Sequence, residues 1–364
     1  MQQEGFCKPD KAAGDVRSPT EGREKVLSQL SQRLPTFRMS VIAVERTRGR
    51  GMKECRYCKA CQKEVAITHS SPCPHCGSTS GFLVTIDRQA TISAQEWDAR
   101  FAISVAQQLP RQMLRTIGRC IYCFAAAPPL QTEHIVPFGL GGRWELAEAS
   151  CPRCAAITGR FEQHLLREIL NGPRAALNLR TRRPKGRPRT YPFSYIKDGR
   201  VETVSLTARE YPALAVFPCF APPACLDKRA YTKGIDVAEP VLVQLGGPNI
   251  KATLQRYGAK TVRYSVRHDF DFYPRCILKI AYGFAVATLG LEGISEATIL
   301  PAIVGQRDDS GMWLGCDGVR KLPGSSLHEY SVAVDNQIIV RIGLFSPVKS
   351  VPEYVAVIGK PKIS

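Results

Sequence analysis

The chain has 364 residues, 44% of them hydrophobic, and its 50 Lys and Arg against 32 Asp and Glu give a formal charge of +18. That length allows two or three domains and a sizeable core, and the charge points to a polyanionic partner, most simply nucleic acid. No run approaches the roughly 18 apolar residues of a membrane span, and the start, MQQEGFCKPDKAAGDVRSPTEG, lacks the apolar core of a secretory signal; no membrane partner and a cytoplasmic location are expected.

Fourteen cysteines in such a chain argue for metal rather than disulfides. Eight fall into four C-x-x-C pairs, and the rest (Cys7, Cys55, Cys219, Cys225, Cys276, Cys316) read mostly as small buried hydrophobes.

Residues 1–25, rich in charge, Gly and Pro, predict a disordered N-terminus. Glu24 to Leu34 suggests a short helix and Met39 to Val44 a strand. Residues 26–110 hold a first cysteine module. In CKACQKEVAITHSSPCPHCG, eleven residues separate Cys58 and Cys61 from Cys73 and Cys76. Two knuckles at that spacing match a zinc ribbon, because each supplies two soft ligands of a tetrahedron from one tight turn. Cys55 could replace Cys58, and His75 could compete. From Ser93 to Leu109, Trp97, Phe101 and Val105 fall on one helical face, with Ser93 and Glu96 forming a capping box and Pro110 the stop.

Residues 111–172 hold the second module. Cys120 and Cys123 (CIYC) face Cys151 and Cys154 (CPRC) across 27 residues, too many for a plain ribbon. Gln131 to Val136 reads as a strand, Phe138 to Gly142 as a turn, Trp144 to Ala149 as a second strand, and Ala155 to Leu170 as a helix. The product is strand, turn, strand, helix, tied at its base by a metal.

The order CIYC, EHIVP, GLGG, SCPRC, over about residues 119–165, resembles the HNH endonuclease family of ββα-metal nucleases. The resemblance implies that His134 is the general base, a role suited to a neutral imidazole at pH 7. It implies one divalent ion, Mg²⁺ or Mn²⁺, bridging the scissile phosphate and the leaving oxygen. Glu133 would hold that ion if a distorted strand end let it reach the metal while His134 faces the water. Gly139, Gly141 and Gly142 would keep the turn slim enough to approach nucleic acid. The family's middle Asn falls at Leu146 or Ala147 here, so another group, such as a main-chain carbonyl, must hold His134. The last family position is Ala155, so the helix ligand must come from elsewhere. Glu162, two turns on along the same face, is the first candidate and His164 the second. His69, His268 and His328 read as structural.

Residues 173–190 are basic: the stretch Asn171 to Thr190 has seven Arg or Lys and no acid. Within it, Pro184-Lys185-Gly186-Arg187-Pro188 resembles an AT-hook, an extended element for narrow minor grooves, and an ordinary basic linker is the alternative. Arg182, Arg183, Lys185, Arg187 and Arg189 are the candidate nucleic-acid contacts. Residues 191–364 read as a separate α+β domain of no derivable function. Its expected elements are hairpins turning at Asp198-Gly199 and near Asp335-Asn336, strands at Pro240 to Leu245 and Tyr354 to Ile358, and a core helix from Arg275 to Gly290.

The expected protein is therefore an α+β multidomain chain with two structural zinc ions and one catalytic divalent ion. Its expected function is metal-dependent cleavage of DNA, with RNA left open. The alternative is a non-catalytic zinc-containing DNA binder on a degenerate HNH scaffold.

Overall fold

The computed structural model describes residues 109–362, apart from 128, 183, 232, 269–270, 322–323 and 325, and before them the strand backbones 37–44, 55–58, 64–66 and 82–85. The expected zinc ribbon (Cys58, Cys61, Cys73, Cys76), the helices at 24–34 and 93–109, and Arg183 lie outside the described residues, except that Cys58 ends a described strand.

The chain is mixed α+β, with four sheets and one long helix among the described residues. A seven-stranded sheet joins strands from residues 37–85 with strands from residues 190–268. Phe37–Val44 pairs antiparallel with Thr261–His268 along all eight residues, and Thr261–His268 in turn pairs with the hairpin Thr190–Lys197 and Arg200–Thr207. That hairpin turns where expected. Asp198 and Gly199 both adopt positive φ, as a two-residue turn matched to strand twist requires.

A five-stranded antiparallel sheet contains His328–Val334, Ile338–Leu344 and Pro352–Pro361. Across its face runs the helix Phe272–Leu289, whose residues Tyr273 to Val286 are all buried. Its sequence, FYPRCILKIAYGFAVATL, is apolar on every side apart from Arg275 and Lys279, so it sits inside the protein rather than on its surface. Gly290, at φ +74°, ends it. Among the described residues no helix is long and apolar enough to cross a membrane.

A small three-stranded sheet carries the cysteine clamp: Gln112–Thr116 parallel to Trp144–Ser150, and Trp144–Ser150 antiparallel to Gln131–His134. The helix Pro152–His164 follows and packs on Phe272–Leu289. One hydrophobic core runs from Cys120 and Ile121 through Phe161 to Ile277, Tyr282 and Ile358. The cysteine module and the segment from residue 191 onward, read from the sequence as separate, thus share their interior.

His328 links the two. Its Nε2 donates to the Leu140 carbonyl at 2.9 Å, and its Nδ1 accepts from the Phe345 N–H at 3.3 Å. A second ring proton would point at that N–H. Burial drives its pKa down to about 4, against the hydrogen bond to Leu140. A histidine whose folded pKa lies below its unfolded value of ~6.5 costs stability as pH falls between the two. About 3 kcal/mol should disappear from near pH 6.5 to near pH 4. Urea unfolding across that range should show this loss, and His328→Gln should remove most of the slope; an unchanged slope would clear His328.

Candidate functional site

Cys120 and Cys123 lie on a turn ahead of the Gln131–His134 strand. Cys151 caps the helix Pro152–His164, and Cys154 sits in its first turn. The four Sγ atoms lie within 4.8 Å of one another, and Cys123 and Cys151 are 3.6 Å apart. A tetrahedral ion with ~2.3 Å bonds to sulfur needs S···S separations of about 3.7 Å, so the four thiols fit and could hold a structural metal. Burial pushes the Cys151 thiol up, but the Cys154 N–H and the neighbouring thiols outweigh it and bring it down to about 7. A helix N-terminus favours the thiolate in the same direction.

Between the cysteine pairs, the register of Gln131–His134 against Trp144–Ser150 breaks. Gln131 faces Ser150, while Glu133 faces Leu146 and His134 faces Glu145. The slack is taken up on the second strand, where Glu148 adopts φ +49°. The irregularity lies ahead of Glu133 and His134, which pair in regular register, and its bulge is on the partner strand.

As successive strand residues, Glu133 and His134 point to opposite faces. Glu133 is buried and points inward, where its carboxylate meets Lys279 at 2.7 Å. Glu162, nearly three turns into the helix, meets the same ammonium at 2.7 Å. Lys279 also donates to the main-chain carbonyls of His134 and Ile135, the latter at 3.2 Å. Four oxygens therefore converge on one nitrogen. Gly283, one helical turn beyond Lys279, permits the approach, since a Cβ there would lie 3.0 Å from the Ile135 side chain.

Burial opposes the Lys279 charge, but Glu133 and Glu162 outweigh it and hold its pKa above the usual lysine range. For Glu162, burial dominates and raises its pKa despite Lys279. Tyr122, buried between the cysteines of CIYC, is pushed well up by burial and by the charges of Glu133 and Glu162.

His134 stands at the edge of this cluster. Its Nδ1 is 3.1 Å from Glu145 Oε1, an ion-pair contact off the line of a good hydrogen bond. Its Nε2 is 3.0 Å from the Arg182 guanidinium. Because Arg can only donate, Nε2 must accept, and the ring proton sits on Nδ1 towards Glu145. Burial lowers the His134 pKa, and Lys279 and Arg182 add to the fall against Glu145, so the ring is neutral at pH 7 with its lone pair outward. Glu145 is itself held by Arg111 at 3.2 Å. Glu145, rather than a main-chain carbonyl, is the group beside His134 Nδ1. Its place opposite His134 in the hairpin was the available signal.

Of the remaining expected residues, His164 packs edge-on against Phe272 rather than joining the cluster. The three glycines face protein, not open space. A Cβ at Gly139 would meet Arg174 and Leu166, one at Gly141 would meet Leu327, and one at Gly142 would lie 2.0 Å from the Val136 carbonyl. They close the turn internally rather than thin it for a ligand. Pro184–Gly186 forms a 3₁₀ turn closed by Arg187 N–H to Pro184 O at 3.2 Å, not the extended element expected. The fixed φ of Pro184 suits either conformation. Arg182, Lys185 and Arg189 are exposed, and Arg187 is turned back onto the Leu179 carbonyl.

The two carboxylates and two carbonyls are the hard oxygen donors a divalent ion would want. They do not fit one here. Mg²⁺ needs oxygens at roughly 2.0–2.1 Å, whereas the carboxylates stand 2.7 Å from a centre already filled by an ammonium. No family model matches the chain, and neither curated proteins nor solved structures give a match.

Proposed function

We propose that the chain is an endonuclease of the HNH kind that hydrolyses phosphodiester bonds in DNA, with His134 as general base. The observation that supports it is convergence. Glu133 from a strand and Glu162 from a helix meet at Lys279. His134, next to Glu133 in the strand, meets Arg182 of the basic segment. The four-thiol clamp takes its cysteines from the turn ahead of that strand and from the start of that helix. Zinc is the metal such a clamp takes, binding through Cys120, Cys123, Cys151 and Cys154 and tying the strands to the helix. RNA, with the same backbone charge, stays an open substrate.

In this reading an arriving phosphate draws the Arg182 guanidinium onto its own oxygens, where a bidentate contact is stronger than the one to imidazole. That uncovers His134 Nε2. The imidazole takes a proton from water, and the hydroxide attacks phosphorus. The bond from phosphorus to the leaving oxygen breaks, and the imidazolium proton is returned to that oxygen through solvent. Glu145 keeps the ring in the tautomer this needs. Lys185 and Arg189 would follow neighbouring phosphates, making binding salt-dependent. No step runs through a divalent ion at Glu133 and Glu162, because Lys279 stands there.

A second reading, a nucleic-acid binder without chemistry, is favoured by that same lysine. Nicking of supercoiled plasmid with and without Mg²⁺ or Mn²⁺ separates the two. His134→Ala should lower cutting by about 10²- to 10⁴-fold while zinc content and folding persist. DNA binding without cutting under any divalent ion, unchanged in His134→Ala, would leave only the binder. Neither binding nor cutting would end both readings.

A further inference from the structure

We propose that Lys279 is the resident cation of the Glu133–Glu162 seat. It occupies the position a divalent ion would take, and it closes that seat to metal. The inference deepens the phosphodiester reading, since that reading is what raises the question of a metal there; the seat itself rests on geometry alone.

The first support is saturation. An ammonium has three protons and no lone pair, and Nζ contacts Glu133, Glu162 and the carbonyls of His134 and Ile135. No donor is left for substrate or water. The second is size. The carboxylate distances of 2.7 Å are those of charge-assisted N–H···O bonds, well beyond a Mg–O bond.

The third is the lack of an exit. The Lys279 side chain is 1% exposed, on a helix buried from Tyr273 to Val286. A divalent ion would have to push the ammonium into apolar surroundings, where a lone charge is strongly disfavoured. The fourth is provision for it in the fold. Gly283 lets the helix come close enough to Ile135 for the lysine to reach the strand's carbonyls.

It follows that Glu133 and Glu162 are not metal ligands in the native protein. Any divalent-ion dependence of cutting must arise with the substrate phosphate or elsewhere. It also follows that removing Lys279 unmasks a hard-cation site made of four oxygens.

The test is Mn²⁺ binding to the zinc-loaded full-length protein, followed through the electron paramagnetic resonance signal of free Mn²⁺. Wild type and Glu162→Gln should bind Mn²⁺ equally weakly. Lys279→Met should bind one Mn²⁺ per chain at least roughly tenfold more tightly, and Lys279→Met/Glu162→Gln should lose that gain. Tight binding of one Mn²⁺ by wild type that drops in Glu162→Gln overturns the proposal, as does a folded Lys279→Met with no gain. The comparison of wild type with Glu162→Gln decides the matter even if Lys279→Met does not fold. Failure of the endonuclease reading shows separately, as absence of cutting, whatever Mn²⁺ does.

Discussion

Replacing Lys279 by methionine is expected to destabilise the fold by about 3–5 kcal/mol at pH 8, the cost of leaving buried charge without its partner. Methionine keeps the length and packing of the side chain, so the loss reads electrostatics rather than a cavity. Glu133 and Glu162 would face each other without a cation between them, and one would hold a proton to relieve the repulsion. That fixes the sign of the pH dependence. A carboxyl whose folded pKa is raised favours the fold below its unfolded pKa of ~4.3 and disfavours it as pH rises through the raised value. The deficit of Lys279→Met should therefore shrink from pH 8 towards pH 5; wild type, in which burial already raises Glu162 against Lys279, should show a trend of the same sign but smaller. Lys279→Met/Glu162→Gln should recover much of the stability at pH 8, because a neutral amide facing one carboxylate removes the repulsion. Urea unfolding at the two pH values reads both effects. A loss below about 1 kcal/mol that is flat with pH would mean that the ion-pair cluster does not bear on the fold.

The residues of this cluster differ in how far the sequence disclosed them. Glu133, His134 and Glu162 were readable because the cysteine pairs frame them and the helix repeat sets Glu162 on the inward face. The hairpins at Asp198-Gly199 and Asp335-Asn336 and the core helix were readable from local pattern, since turns and periodicity are short-range. Lys279 was visible only as an oddity in an apolar helix. It lies 145 residues from His134, and nothing local says which chain segment it will meet. The same holds for the shared core. Ile121 and Tyr282 are hydrogen-bonded across 161 residues, so the boundary drawn at the basic segment marks a change in composition that the packing ignores. Arg182 was read as a phosphate contact from charge alone. Its position on His134 depends on how the chain after the helix folds back over the turn, which charge does not encode.

Loss of metal from the four-thiol clamp should be the most damaging single lesion. Cys120, Cys151 and Cys154 are buried in the main core beside Ile121 and Tyr282, and the Tyr282 hydroxyl donates to the Ile121 carbonyl within the first knuckle. In the proposed zinc-bound state the ion bonds the strands to the helix through four sulfurs, and its loss releases them. Small zinc peptides draw on the order of 10 kcal/mol or more from such a site. Here a large core supports the clamp, and the part lost should be above about 4 kcal/mol, the range where metal loss stands out among single lesions. Cys154→Ser nearly preserves size, so its effect reads coordination rather than packing. It should lower measured zinc by one per chain, reduce the unfolding temperature by about 5 °C or more, and abolish DNA cutting. The strand bearing Glu133 and His134 runs between the two knuckles, so releasing one knuckle frees His134 from Glu145. Two zinc ions per chain in wild type and one in Cys154→Ser would place the second at the N-terminal cysteines. A Cys154→Ser protein with undiminished zinc and unchanged stability would show that these four thiols are core residues and nothing more.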